Sequence, residues 1–232
     1  MPRLPEYATI FFANSINSHS AVQNVDVQPS GHVRVLRKAH APVTIAPVSI
    51  EFLRPEHVEQ VFNDSPVNII CVVKRDSHYS WAARERAAKL GASAHTMREV
   101  WASLGMEDPR LYSDKHVSYQ RIRLEQHSKV RGIDMICEAS MKIVRSGSLP
   151  PVTVAIEYEY EFAEEALVKA IQRHRGVSAI LNANPNGRPT RAALEHAKST
   201  GIGLFSLGEL MGALNYGGND FINYKSPEKF RR

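Results

Sequence analysis

The sequence predicts an α/β domain in which a mainly parallel sheet carries helices on both faces. Two observations favour this class. Runs rich in β-branched residues, such as residues 67–73, alternate with stretches that have helical spacing, such as residues 79–90. This alternation is typical of layered α/β folds, because each parallel strand needs a crossover connection that returns the chain to the same edge of the sheet.

Each element has its own local signal. We predict strands at 8–13, 67–73, 152–158 and 177–182, and helices at 56–63, 79–90, 96–104, 133–145, 163–173, 190–199 and 206–214. Pro189 precedes the helix at 190–199 and Gly201 follows it, which are ordinary start and stop signals. Residues 23–50 are expected to form a hairpin or an arm, and residues 105–128 are polar and ambiguous.

Residues 133–145 are expected to form a helix with one buried side. Their apolar side chains recur at helical spacing, and the Pro150-Pro151 pair stops the chain before the next strand. Asp134 and Glu138 lie four residues apart on another side of this helix. Both are near its start, where the helix dipole favours negative charge.

Three further acids follow on the next predicted strand. Because residues 153–161 alternate strictly, Glu157, Glu159 and Glu161 would share one strand face. Adjacent carboxylates repel one another, so this face is either an exposed edge protected by its acids or a cation site. The helix-borne Asp134 favours the second interpretation, since Mg²⁺ and Mn²⁺ prefer carboxylate ligands. Ions held in this way support in-line attack on a phosphodiester.

These motifs resemble those of the NYN-type (LabA/limkain-like) branch of the PIN-like ribonucleases. Arg131-Gly132-Ile133-Asp134 is similar to the Lys-Gly-Val-Asp motif of that family. The segment 157–162 takes the place of a strand that ends in Ser-Gly-Asp-Ser-Asp-Phe. The family's opening strand ends in an Asp, two residues and an Asn, and this chain has Asn14-Ser15-Ile16-Asn17 there.

The resemblance implies a three-layer PIN/Rossmann-like fold and a divalent-metal-dependent ribonuclease. The implied catalytic residues are Asp134, Glu159, Glu161 and Asn14, and the first three would hold Mg²⁺ or Mn²⁺. The implied outer contacts are Glu157, Glu138 and Asn17. Lys129 and Arg131 lie beside Asp134, so we expect them to hold a phosphate of the RNA.

Two alternatives stay open. The family's paired Asp residues are Glu159 and Glu161 here, which changes the ligand geometry, so the chain is alternatively a catalytically degenerate PIN-like module that binds RNA or a protein partner. Residues 178–210 also resemble the end of restriction-endonuclease-like domains. In such a DNA nuclease the metal ligands would be Asp134, Glu157 and Glu159. That fold usually has a strand or a tight hairpin where we expect the helix at 133–145.

Length and composition favour one domain over residues 1–232. The resemblance implies that residues 18–49 are an insertion in it. The net charge of +5 and the pI near 9.2 give a mild bias toward polyanions such as single-stranded or structured RNA. Cys71 and Cys137 lie in apolar stretches and are expected to be buried free thiols in a reducing compartment. The sequence contains no apolar run of 18 residues, so we expect a cytoplasmic protein with no membrane partner, and a homodimer as the assembly to test.

Similar residues also recur at an offset of 110. Examples are Ala82/Ala192, Gly91/Gly201 and Glu99/Glu209. The recurrence indicates either a tandem duplication or two strand–helix units of one layered fold that share packing requirements. We favour the second interpretation.

Overall fold

Each half of the chain folds around a five-stranded sheet of its own. The structure is a computed structural model that describes residues 4–62 and 65–226. It divides into two compact units, Met1–Asp114 and Lys115–Arg232, where the sequence predicted one domain over 1–232. Both units contain helices and strands, so the α/β class is confirmed at that level.

The first unit begins with a helix that leads into an antiparallel meander. Its helices are α1 (Glu6–Asn17), α2 (Pro55–Phe62), α3 (Trp81–Lys89) and α4 (Met97–Ser103), and its strands are β1 (Val22–Val27), β2 (Val33–Arg37), β3 (Val43–Val48), β4 (Phe52–Leu53), β5 (Ile69–Val72), β6 (His78–Tyr79) and β7 (Ser93–Thr96). The sheet order is β1-β2-β3-β5-β7. The first two pairings are antiparallel and the last two are parallel.

The second unit follows the same plan. Its helices are α5 (Lys115–Glu125), α6 (Glu164–Arg173), α7 (Arg191–Ser199), α8 (Leu207–Ala213) and α9 (Gly218–Ile222), and its strands are β8 (Val130–Cys137), β9 (Ser140–Arg145), β10 (Val152–Glu157), β11 (Glu161–Phe162), β12 (Ala179–Asn182), β13 (Arg188–Pro189) and β14 (Gly203–Phe205). The sheet order is β8-β9-β10-β12-β14, again with two antiparallel and then two parallel pairings.

The two units are a tandem repeat. From α1 to α4 and from α5 to α8 the elements come in the same order, including the two-residue strands β4/β6 and β11/β13, which pair in parallel in both units. Equivalent positions lie 110 residues apart in the last strands, where His95 corresponds to Phe205. The interpretation that we favoured, two strand–helix units within one layered fold, is therefore wrong, because each repeat has a complete sheet.

A buried arginine occupies the same place in both repeats. Arg37, at the end of β2, donates hydrogen bonds to the main-chain carbonyls of Ala41, Leu104, Met106 and Glu107. Arg145, at the end of β9, donates to the carbonyls of Pro150, Leu214 and Tyr216. Each guanidinium thus ties the segment after the last long helix of its repeat to the meander, through several donors on one side chain.

Helices cover both faces of each sheet. In the first unit, Phe12 of α1 and Val100 of α4 belong to one buried cluster, whereas Val58 of α2 belongs to another. In the second unit, Leu210 of α8 and Leu167 of α6 belong to two separate clusters in the same way. The prediction of a mainly parallel sheet is not confirmed, because half of the pairings in each sheet are antiparallel.

Several local predictions agree with the structure. The strands at 67–73, 152–158 and 177–182 correspond to β5, β10 and β12, and the helices at 79–90, 163–173 and 190–199 correspond to α3, α6 and α7. The helix at 56–63 corresponds to α2, and its residue 63 lies outside the described residues. Thr190 caps α7 through a bond from the Ala193 amide, as Pro189 before it suggested.

Two predicted elements are wrong. Residues 8–13 belong to helix α1, whose buried residues Thr9, Phe12, Ala13 and Ile16 have helical spacing. Residues 133–145 form the β8–β9 hairpin instead of a helix, since alternate residues such as Ile133 and Met135 pack into the core. In both segments a short apolar run fits either period, and tertiary packing selects one.

Residues 18–49 are not an insertion but supply the meander β1–β2–β3, an integral part of the first sheet. Residues 105–128, which had no assignment, contain helix α5, the counterpart of α1. Within residues 4–62 and 65–226, none of the helices has both the length and the apolar content that crossing a bilayer requires.

Candidate functional site

Three of the predicted acids, Glu157, Glu159 and Glu161, lie at or just after the end of β10, but not on one strand. β10 ends at Glu157, and Glu161 begins the separate strand β11. Glu159 lies in the connection between them and is exposed, as is Glu161. The expectation of three carboxylates on one strand face is therefore wrong, because the alternating pattern of 153–161 continues beyond the point where the pairing with β12 stops at Glu157.

Glu157 is held by two basic side chains from the end of α6. Nη1 of Arg173 lies 3.3 Å from both carboxylate oxygens, and Nε2 of His174 lies 3.4 Å from Oε1. The Glu157 side chain is only 14% exposed. A divalent cation would have to displace an arginine that already neutralises this carboxylate, so the surroundings of Glu157 do not fit a metal ligand.

A buried cysteine lies on the other side of His174. The Sγ atom of Cys137 is 2.9 Å from Oγ of Ser140 and 3.9 Å from Nδ1 of His174. Burial, with the negative charge of Glu138, raises the pKa of Cys137 to about 12. The thiol is therefore protonated at neutral pH, and the Cys–His–Glu sequence of contacts lacks the thiolate that nucleophilic catalysis needs.

Asp134 lies far from the end of β10. It pairs with Lys142 on β9, which in turn pairs with Thr153, four residues before Glu157. Four residues along a strand and two strand spacings across the sheet separate the Cα atoms of Asp134 and Glu157 by about 16 Å. Ligands of one Mg²⁺ lie about 2.1 Å from the ion, so these two carboxylates do not share a cation.

The remaining predicted residues lie elsewhere. Asn14 and Asn17 are exposed residues of α1, in the first unit, whereas the predicted acids belong to the second. Lys129 and Arg131 are exposed at the start of β8. Glu138 occupies the β8–β9 turn beside the end of β10, since the Ile156 amide donates to the Ala139 carbonyl at 2.8 Å.

Sequence reasoning missed an amide that orders the loop after β10. Asn182, at the end of β12, accepts from the Glu159 amide at 3.1 Å and donates to the Glu159 carbonyl at 2.9 Å. Gly187 lies against the same group, and a Cβ there would overlap the Glu159 carbonyl and the Asn182 amide. The sequence signal for this arrangement is the run of asparagines that ends in Gly187.

Three aromatic rings meet beside this ordered loop. The rings of His116 and Tyr158 have centroids 4.3 Å apart, and those of Tyr158 and Tyr160 are 6.4 Å apart in an edge-to-face arrangement. Tyr158 is 37% exposed and Tyr160 is 71% exposed. We call these three residues the aromatic platform. It lies at the carboxyl end of parallel strands, which is the usual place for ligands in α/β sheets.

Comparisons with known proteins identify no family. No protein-family model, no curated protein and no solved structure matches this chain. The resemblances to PIN-like ribonucleases and to restriction-endonuclease-like domains therefore rest on the quoted motifs alone. The geometry of the second unit provides the basis for a functional proposal.

Proposed function

We propose that the second unit binds single-stranded nucleic acid through the aromatic platform and does not cut it with a metal ion. The main evidence is the group of neighbouring rings in the aromatic platform. Tyr160 is largely exposed there, beside a loop that Asn182 holds in place. Proteins that bind single strands stack bases on exposed aromatic rings, and a preordered loop reduces the entropy lost on binding.

Charge and topology support the same proposal. The chain has a net charge of +5, and Lys129, Arg131 and Lys142 are exposed on the β8–β9 hairpin. The restriction-endonuclease-like alternative requires a strand or hairpin between Asp134 and Glu157. The predicted helix at 133–145 argued against it, and the structure has the β8–β9 hairpin there. The exposed cations of the hairpin belong to the same sheet as β10, whose end leads into the aromatic platform, so they are available to the phosphates of a strand bound there.

The arrangement of the acids argues against metal-dependent cleavage. Arg173 and His174 already hold Glu157, and Asp134 is about 16 Å from it by the pairing register. Glu159 is exposed, and its backbone rather than its carboxylate is fixed. Two-metal chemistry needs several converging carboxylates, and Glu157 at this strand end is already neutralised by Arg173.

The experiment is an anisotropy titration of labelled single-stranded RNA and DNA with the whole protein. Tyr160→Ala should weaken binding by about ten-fold or more, because one stacked base contributes roughly 1–3 kcal/mol. Tyr7→Ala is the matched control, since Tyr7 is a 76% exposed tyrosine of α1 in the first unit. Equal losses in the two variants would contradict the proposal.

The metal-dependent nuclease remains a second candidate, for one reason. The β8–β9 turn brings Glu138 beside the strand end that carries Glu157, so two carboxylates would be available there if Arg173 moved away. Incubation of RNA and of duplex DNA with Mn²⁺ distinguishes the candidates. Cleavage by the wild type, lost in Glu157→Gln, would favour the nuclease and replace the binding-only proposal.

A further inference from the structure

Two buried amide side chains beside the aromatic platform each keep one polar atom without a partner. Gln120 is 4% exposed and Asn184 is 2% exposed. Among residues 4–62 and 65–226, neither Oε1 of Gln120 nor Nδ2 of Asn184 has a hydrogen-bond partner. Leaving a buried donor or acceptor unsatisfied is unfavourable, and such groups are rare in native proteins, so the pair indicates a missing polar ligand.

The bonds that these amides do make fix their orientation. Nε2 of Gln120 donates to the Ala183 carbonyl at 3.5 Å, which leaves Oε1 as the unused atom. Oδ1 of Asn184 accepts from the Asn186 amide at 3.0 Å, which leaves Nδ2 unused. A flip of either side chain would place like groups together, so the site presents one acceptor and one donor.

Both amides lie next to the platform. Gln120 follows His116 by four residues in α5, so the two side chains project from the same side of that helix. Ala183, to which Gln120 donates, itself donates to the Glu157 carbonyl at 2.7 Å, immediately before Tyr158. Gln120 is therefore next to His116 on one helix side, and Asn184 follows the residue that bonds to the neighbour of Tyr158.

We propose that Gln120 and Asn184 bind the edge of an adenine base stacked on the aromatic platform. This inference rests on the proposed function. Adenine carries an amino donor next to a ring-nitrogen acceptor, the complement of one acceptor and one donor, and Asn and Gln amides bind adenine in this bidentate manner elsewhere. A purine also offers a larger face than a pyrimidine to the rings of Tyr158 and Tyr160.

The test compares the same single-stranded RNA with either one adenine or one unsubstituted purine, which lacks the amino group, at a defined position. Wild-type protein should bind the adenine strand about ten-fold more tightly, because the purine strand lacks the donor that Oε1 of Gln120 accepts. Gln120→Met should abolish that preference by removing the acceptor, and its binding of the purine strand should change little. Asn184→Asp should weaken both strands, because adenine and purine share the ring nitrogen that accepts from Nδ2.

The control separates this inference from the function on which it rests. Tyr160→Ala should weaken both strands equally, because it removes stacking and leaves the amides in place. If wild-type protein binds both strands equally while Tyr160→Ala weakens both, the amides hold only water and the inference is overturned, while nucleic-acid binding stands. If no strand binds at all, the proposed function itself is overturned. Thermal melting of each variant shows whether it is folded.

Discussion

A histidine in the core of the first unit should make that unit sensitive to acid. His95, on β7, is fully buried, and neither ring nitrogen makes a hydrogen bond of good geometry to a described residue. Burial, with the positive charge of Arg84, lowers the pKa of His95 from 6.5 to about 3, against a weaker opposing effect of the Arg110 backbone. The corresponding residue of the second repeat is Phe205, which cannot titrate.

The sign of the pH effect follows from the protons bound in each state. Below pH 6.5 the unfolded chain protonates His95 and the folded chain does not, so the free energy of unfolding falls as the pH decreases from 6.5 toward 3. One pH unit in this window corresponds to about 1.4 kcal/mol, which gives roughly 2 kcal/mol lost at pH 5. Above pH 6.5 His95 is neutral in both the folded and the unfolded chain, so it no longer changes the free energy of unfolding with pH.

The variant His95→Phe, which copies the second repeat, should remove this dependence. Urea unfolding is followed by tryptophan fluorescence, since Trp81 and Trp101 both lie in the first unit. Between pH 7 and pH 5 the wild type should lose about 2 kcal/mol more than His95→Phe. Val100→Ala, another buried position of this unit, should lower stability equally at both pH values. A parallel pH dependence in the wild type and His95→Phe would refute the reasoning.

Three further predictions concern the second unit. Arg145→Met should lower its free energy of unfolding by about 3 kcal/mol in urea titrations, because three main-chain carbonyls lose a charged donor; a loss below 1 kcal/mol would contradict this. Gly187→Ala should weaken nucleic-acid binding and lower the melting temperature, because its Cβ would displace the Glu159 loop; unchanged affinity would contradict the ordered loop. Replacing both Lys129 and Arg131 with Ala should reduce the salt slope of binding by about 1.4, or 0.7 per phosphate contact. The matched control replaces two exposed cations of the first unit, Arg34 and Lys38, and an equal reduction there would place the strand on another surface.

Part of the fold was predictable because it depends on local sequence. The β-branched run that contains Ile69 and Ile70 and the capped helix after Thr190 have strong local signals, and both agree with the structure. The repeat was also visible, but the offset changes from 108 at Arg37/Arg145 to 110 at His95/Phe205. Because the offset changes, a comparison at 110 residues does not align the two meanders. It aligns only the later part of each repeat.

The site was less predictable, because its contacts join distant residues. The ion pair of Glu157 with Arg173 and the hydrogen bonds of Asn182 to Glu159 depend on the pairing of β10 with β12, and no local pattern specifies that register. Asp134 illustrates the opposite error. A helix would have placed it near the strand acids, whereas the hairpin places it opposite Lys142.

The most direct test of the proposed function is the affinity of Tyr160→Ala for single-stranded nucleic acid, measured against Tyr7→Ala in the same anisotropy titration. The wild type should bind measurably without added divalent metal. Tyr160→Ala should lose about ten-fold or more in affinity, since one stacked base is lost, and Tyr7→Ala should change little. Binding of neither RNA nor DNA by the wild type, or an equal loss of affinity in the two variants, would contradict the proposed function.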